Sequence, residues 1–285
     1  MRVSGKGTRR KKTALVILML VLALAAALDV RLQTVHDTVT SDALTAPVRL
    51  AVLTDLHSCA YGGKQETLLR AVEEQAPDAV VLAGDIVDDV LPEENAWTAV
   101  SALAETYPCL YVTGNHEYWS GEADRICADM EALGVLVLRG SVASLELGGQ
   151  SLRFCGVDDP DSGQTARQLA QVGERLGEGF SILLVHRPEA VHDYLQYPFD
   201  LILAGHAHGG QWRIPGLLNG LYAPNQGLFP KYAGGRYDFE NTVLIVSRGL
   251  ARESTSIPRI FNRPELVIVD LLPARGTEMD GAEGS

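Results

Sequence analysis

Five short apolar runs recur along the chain, and each ends in residues that hold metals or move protons. Leu50–Thr54 (LAVLT) leads into Asp55-Leu56-His57, Ala79–Ala83 (AVVLA) into Gly84-Asp85, and Leu110–Thr113 (LYVT) into Gly114-Asn115-His116-Glu117. Ile182–Val185 (ILLV) leads into His186, and Leu201–Ala204 (LILA) into Gly205-His206-Ala207-His208. Runs without polar alternation mark strands covered on both faces. In open α/β sheets, function collects beyond the carboxyl ends of such strands. The chain is therefore constrained to a layered α/β fold with one site at the strand ends.

The intervening segments agree with this. Lys64–Gln75 carries Leu68, Leu69 and Val72 on one helical face and stops before Pro77. Pro92–Thr106 carries Trp97, Val100 and Leu103, and Ala123–Leu133 carries Ile126, Met130 and Leu133 with Gly134 as C-cap. Strand and helix in alternation give βαβ units. After Gly134 the pattern turns to short strands at Val135–Leu138, Val142–Leu147 and Leu152–Val157, with Gly148-Gly149 as a hairpin turn. A helix is expected over Ala166–Leu176, and two closing strands over Thr242–Ser247 and Leu266–Leu271. Between His208 and those strands lies a Gly/Pro/aromatic loop, Gly209–Asn241. A loop of that length inside a compact domain is usually functional.

Charge excludes one class of partner. Residues 2–12 hold six of the 24 basic residues and no acid precedes Asp29, so the rest counts 18 basic against 36 acidic, net −18. So acidic a body repels polyanions at long range, which argues against a nucleic-acid partner but not against a small phosphate ester. Ala14–Leu28 is an apolar run of 15 residues. It falls short of the roughly 20 residues of a full span but suits a signal-peptide core, and Ala23, Ala25 and Ala27 offer a cleavage site. The basic flank orients the amino terminus to the cytoplasm. The leading expectation is an uncleaved signal anchor: a single-pass cell-membrane protein with its catalytic domain on the extracytoplasmic side. The expected organisation is a leader and anchor over 1–28, a connecting segment over 29–47, a domain over 48–272 and a disordered tail over 273–285. Cys59, Cys109, Cys127 and Cys155 show no CxxC spacing and read as small buried hydrophobes.

Five of the seven histidines sit at the ends of the apolar runs, whereas His36 and His192 read as surface or packing residues. Five imidazoles, two aspartates and an asparagine at equivalent positions are hard to explain as packing, because each brings a polar group that needs a partner. Mixed Asp/His/Asn donors suit Mn²⁺, Fe or Zn²⁺ better than Mg²⁺ or Ca²⁺. Two such cations, about 3.5–4 Å apart and bridged by one carboxylate, would hold a hydroxide and clamp an in-line displacement. Two divalent cations outweigh the charge of Asp55, Asp85 and a hydroxide, so the site would stay attractive to a phosphate ester inside an acidic protein.

In order, Asp55-x-His57, Gly84-Asp85-x-x-Asp88, Gly114-Asn115-His116-Glu117, His186 and Gly205-His206-x-His208 resemble the five blocks of the calcineurin-like metallophosphoesterases, over roughly Val48–Gly210. The leader and the AGHAHGGQW context resemble the membrane-anchored bacterial branch, while Glu117 stands where many members have Asp. The resemblance implies a two-sheet β-sandwich flanked by helices, in α-β-β-α layers, carrying a membrane-tethered phosphoesterase. It implies that Asp55, His57, Asp85 and His208 bind one divalent metal ion and that Asp85, Asn115, His186 and His206 bind a second. His116 would assist the leaving group, oriented by Asp88. A non-catalytic scaffold and a nuclease on the same fold are the competing readings. For the substrate, Arg187, Arg213, Arg248, Arg252, Arg259 and Arg263 are candidates, Arg213 and Arg252 first, with Tyr222, Asn225 and Tyr232 shaping the leaving-group pocket.

Overall fold

The computed structural model describes residues 5–252 and 257–274, with side chains from residue 11 onward. The chain opens with helix α1 (Gly5–Ala27) and strand β1 (Gln33–Ser41). The first half continues β2 (Val48–Leu53), α2 (Glu66–Glu73), β3 (Ala79–Ala83), α3 (Glu94–Ala104), β4 (Cys109–Val112), α4 (Asn115–Trp119), α5 (Ala123–Ala132) and β5 (Leu136–Val137). The second half runs β6 (Ser141–Leu147), β7 (Gln150–Gly156), α6 (Thr165–Gly173), β8 (Ser181–Leu184), α7 (Val191–Tyr194) and β9 (Leu201–Ala204). It ends with β10 (Tyr222–Ala223), β11 (Gly227–Leu228), β12 (Gly235–Asp238), β13 (Val243–Val246) and β14 (Glu265–Pro273).

Two six-stranded sheets form, in the orders β1-β14-β2-β3-β4-β5 and β12-β13-β9-β8-β7-β6. Strands β2 to β5 are mutually parallel, as are β7, β8, β9 and β13. The five apolar runs of the sequence are the central strands of these sheets. Because successive side chains alternate in direction, β2 sends Leu50 and Val52 between the sheets, where they meet Phe154, Ile182, Leu184 and Leu203. It sends Ala51 and Leu53 outward, under Leu68 of α2 and Val100 of α3. The second sheet is covered in the same way by Leu169 and Val172 of α6 and Val191 and Tyr194 of α7. The layers are therefore helix, sheet, sheet, helix, as expected. All four cysteines are buried, and none forms a disulfide among the described residues.

The connecting segment, whose alternation of Val30, Leu32, Val35 and Val39 is open to an exposed strand, contributes β1, paired in parallel with β14 from Gln33–Glu265 to Ser41–Pro273. Two features differ from the expectations. The long loop is not structureless, since it holds the β10–β11 hairpin and β12. No helix among the described residues is long and apolar enough to cross a membrane. The reason is length: the apolar part of α1, Ala14–Ala27, reaches about 21 Å at 1.5 Å per residue, against a hydrocarbon core of about 30 Å. The expected tail lies, from residue 275, outside the described residues.

Candidate metal centre

Strands β2, β3 and β4 of one sheet and β8 and β9 of the other all end at the same edge of the sandwich, and each delivers donors just past its last residue. Asp55 and His57 follow β2, Asp85 follows β3, Asn115 opens α4 after β4, His186 follows β8, and His206 and His208 follow β9. The loops are stitched together by their own backbones. Asp55 N–H donates to Gly84 O at 3.0 Å, His57 N–H to Asp85 O at 2.9 Å, and Gly205 N–H to His186 O at 3.0 Å. The carboxylates are aimed by backbone donors as well: Asp85 Oδ1 accepts from His116 N–H at 2.9 Å and Asp55 Oδ1 from His206 N–H at 3.0 Å. Space is tight enough to demand glycine at two points. A Cβ on Gly114 would collide with Asp85 Oδ1, and one on Gly84, already at φ +84°, would strike the His186 ring.

Asp55, His57, Asp85, His206 and His208 all take positive φ, between 46° and 67°. Each such non-glycine residue costs on the order of 1–3 kcal/mol and persists only where its surroundings over-determine it. Strain spent on five donors at one spot marks a site, not a packing solution.

The side chains form four overlapping groups of possible donors; His57, Asp85 and His116 make one, Asp88, Asp89 and His116 another, and the remaining two span both sheets. Asp55, His57 and His208 offer atoms within 4.8 Å of one another, as do Asp85, His186 and His206. Asp85 stands between them, its Oδ2 3.0 Å from His186 Nε2 and 3.6 Å from His57 Nε2. Four buried atoms here lack a hydrogen-bond partner: His57 Nε2, Asp85 Oδ2, Asn115 Oδ1 and His208 Nδ1. An unsatisfied buried polar atom costs about 1–3 kcal/mol, so four together fit a bound cation. The outer hydrogen bonds set the tautomers in the same sense. His57 Nδ1–H donates to Asp88 Oδ2 at 2.8 Å, His186 Nδ1–H to Ala83 O at 2.9 Å, and His206 Nε2–H to Asn225 Oδ1 at 2.9 Å. His186 Nε2 and His206 Nδ1 then face each other at 3.3 Å with their lone pairs. Only a proton or a metal ion between them relieves that repulsion.

Without metal the proton is the occupant. Burial opposes a charged His186, but the Asp85 and Asp55 carboxylates outweigh it and hold the imidazole well above its ordinary range. Burial, and then the His186 charge, push His206 down to about 3. Metal binding must expel the His186 proton, so affinity should rise with pH by up to about tenfold per unit below the His186 pKa. Calorimetric titration in buffers of different ionisation enthalpy checks this. At least one proton released per site filled at neutral pH is expected, and none released would contradict the assignment.

Two residues matter more than their sequence context suggested. Buried Glu117 accepts backbone N–H bonds from Asp85 (3.1 Å), Ile86 (2.8 Å), Val87 (3.1 Å) and Gly114 (2.7 Å), clamping the β3 and β4 loops together. Burial and the Asp85 charge raise its pKa to about 7. Glu117→Ala should cost more than about 3 kcal/mol, since each freed donor costs about 1–3 kcal/mol. A melting point lower by roughly 6–12 °C follows, with weaker metal binding, read by scanning calorimetry. Asp89 is the second. It is the acceptor for His116 Nδ1–H, at 2.6 Å. The expectation that Asp88 orients His116 needs correction: Asp88 Oδ2 is 3.6 Å from that nitrogen. The cause is saturation, since Asp88 Oδ2 is taken by His57 and Oδ1 accepts from Val90 and Leu91. Two consecutive acids at 88–89 were the available signal.

Of the substrate candidates, Asn225 reaches a donor histidine. Arg213 bonds Asn219 Oδ1 at 2.7 Å and lines a cavity of about 140 Å³ with Asp37, Arg248 and Glu265, none of them a donor of the centre. Half-burial beside the Glu265 carboxylate accounts for that placement. Arg252 lies over the Tyr61 ring at 4.8 Å, and Tyr222 is half-exposed in β10. Arg187 is bound to Asp159, Arg248 to Glu265, and Arg259 to the carbonyls of Ala251 and Arg248. Arg263 donates to the carbonyls of Arg31 and Leu32, and Tyr232 is buried.

The chain belongs to the calcineurin-like phosphoesterase family, which matches residues 48–210. It is a metal-dependent phosphoester hydrolase of that family. It is 29% identical over 235 residues to the metallophosphoesterase YkuE of Bacillus subtilis, covering 78% of each chain. It is 27% identical over 233 residues to the phosphodiesterase YaeI of Escherichia coli, covering 80% of this chain and 83% of that one. The crystal structure of TT1561 from Thermus thermophilus superposes with a TM-score of 0.51 at 13% identity, covering 72% of this chain and 91% of that chain, a likeness of fold.

Proposed function

We propose that the protein hydrolyses a phosphodiester at a membrane surface, using two divalent ions, with His116 delivering a proton to the leaving oxygen. Asp55, His57, Asp85 and His208 would hold one ion, and Asp85, Asn115, His186 and His206 the other. When bound, the ions supply Lewis acidity toward the phosphate and a water made acidic enough to attack. His57 and His186 are fixed in rotation by Asp88 and Ala83, so their inward nitrogens need no reorganisation. The single observation that carries the reading is the setting of His116. Its Nδ1–H is bound to Asp89, its ring meets the His57 ring edge-on at 4.2 Å, and its Nε2 lies 4.0 Å from Asp85 Oδ2. His116 is thus held within reach of His57 and Asp85 but outside the two groups that span both sheets, where its inward nitrogen can serve a phosphate oxygen.

Membrane attachment is supported by α1, in which Leu15 to Leu24 are exposed on every side behind Lys11 and Lys12. The name of the relative YaeI favours a diester. The test is a panel of phosphomonoesters and phosphodiesters, lipid esters included, on protein reconstituted with Mn²⁺, Fe²⁺ or Zn²⁺. Preference for diesters is expected, and a preference for monoesters overturns that part of the reading. Full-length protein should pellet with membranes, and deletion of residues 1–28 should release it. A wholly soluble full-length protein overturns the attachment.

A further inference from the structure

We propose that the rim of the metal centre is itself a lipid-docking surface, presenting the site to phosphate esters still embedded in a bilayer. This rests on the phosphoesterase reading and adds the physical state of the substrate. Among the described residues from 31 to 274, twelve large apolar side chains are exposed; Val90 and Trp119 stand beside Asp88 and His116, and Tyr222, Leu228 and Phe229 lie on or next to the hairpin whose Asn225 bonds His206. Scattered exposed hydrophobes are ordinary on a soluble surface, but a concentration around one opening marks an interaction site.

On one side stand Val90 and Trp119. Val90 N–H donates to Asp88 at 2.9 Å, and the Trp119 ring lies 4.7 Å from His116. On the other side the loop after His208 turns over the donors. Asn225, bonded to His206, sits in the turn of the β10–β11 hairpin, and just beyond it Leu228 and Phe229 are each 67% exposed. Leu217, in the same loop, is 83% exposed.

The occupant is set by what adjoins this rim. Trp212 is tied to Pro258 O at 3.0 Å, and Phe261 N–H donates to Ala27 O at 2.7 Å, so the end of α1 is joined to the same rim. A protein groove covers one face of a helix, but α1 is apolar and exposed on all faces, which only a hydrocarbon phase covers at once. The carboxyl end of the apolar helix is therefore joined to the segment that carries exposed Phe261. Lys231, two residues after Phe229 in the chain, holds its ammonium over the Tyr232 ring at 5.0 Å, a cation suited to anionic headgroups inside an otherwise acidic body. A lipid ester would then reach His116 and Asn225 without its acyl chains entering water.

The experiment uses the full-length, metal-loaded protein with vesicles of phosphatidylglycerol and brominated phosphatidylcholine. Of the three tryptophans, Trp119 and Trp212 lie on the rim while Trp97 packs against the core. Vesicles should quench the tryptophan emission, and Trp119→Phe with Trp212→Phe should remove most of the quenching. The exposed-residue variant Leu217→Ser/Leu228→Ser/Phe229→Ser should keep its rate on the soluble diester bis(p-nitrophenyl) phosphate. It should lose about tenfold or more on vesicle phosphatidylglycerol, the loss expected when apolar docking area is removed. Co-sedimentation without quenching would overturn the proposal, placing α1 in the lipid and the rim in water. Equal loss on both substrates would overturn it too, as would a lipid-free dimer, seen by sedimentation, that the triple variant abolishes. Absence of hydrolysis on both substrates would sink the phosphoesterase reading instead, while the quenching would still decide the docking.

Discussion

His116→Ala is expected to cut turnover by at least about a hundredfold, the lower end of what a positioned proton donor contributes, while bound metal stays near wild type. The separation of the two effects is what makes the variant informative. His116 is the least buried imidazole at the centre, and its inward nitrogen stands no closer than 4.0 Å to Asp85. Removing it leaves whole the two three-residue groups that span both sheets and breaks the groupings it makes with His57 and Asp85 and with Asp88 and Asp89. Its second nitrogen is engaged by Asp89. Asp89→Asn should therefore reproduce part of the loss by misorienting the ring, again without loss of metal. Esters with very acidic leaving alcohols need little protonation and should be the least affected. Metal analysis by mass spectrometry beside steady-state rates settles the matter, and loss of metal from His116→Ala would show it to be a ligand.

Asp85→Asn is expected to weaken both metal positions together and abolish activity. Asp85 Oδ2 lies within 3.6 Å of an imidazole from each donor group and has no hydrogen-bond partner. Burial opposes its charge, yet His186 and His57 hold it well below the usual carboxylate range. The amide keeps the shape but removes the charge that both positions share, and its NH₂ would point a donor at cations. A variant that still binds two equivalents in elemental analysis would refute the shared role. Asp55→Asn should by contrast affect mainly the position built with His57 and His208.

Much of the fold was legible because the chain repeats one signal. An apolar run that stops dead at Asp, Asn or His is informative about both strand and site, and β2, β3, β4, β8 and β9 lie where those runs lie. The donor residues were legible for the same reason. Less legible was whatever depends on which backbone amides converge. Glu117 looked like a neighbour of the motif, yet its carboxylate accepts from four N–H groups of two loops, contacts with no sequence period. Asp88 and Asp89 could be exchanged on paper, and only the local turn, in which Val90 and Leu91 claim Asp88, separates them. Nothing in the sequence says which arginines are spent on buried carboxylates, as the guanidinium groups of Arg187 and Arg248 are on Asp159 and Glu265. Strand β1 was legible as an exposed strand from the alternation of Val35 and Val39, whereas its pairing with the distant β14 had no local signal.

The division of donors between the sheets has a consequence for how the chain matures. The two donor groups that span the sheets draw on both halves of the sequence, Asp55 and His57 needing His208, and Asp85 needing His186 and His206. No amino-terminal fragment that stops short of residue 206 can assemble either group, however well its own βαβ units have formed. The centre is thus complete only once the second sheet has closed on the first. Until then a chain holds at most the groupings made by His57, Asp85 and His116 and by Asp88, Asp89 and His116, without His186, His206 or His208.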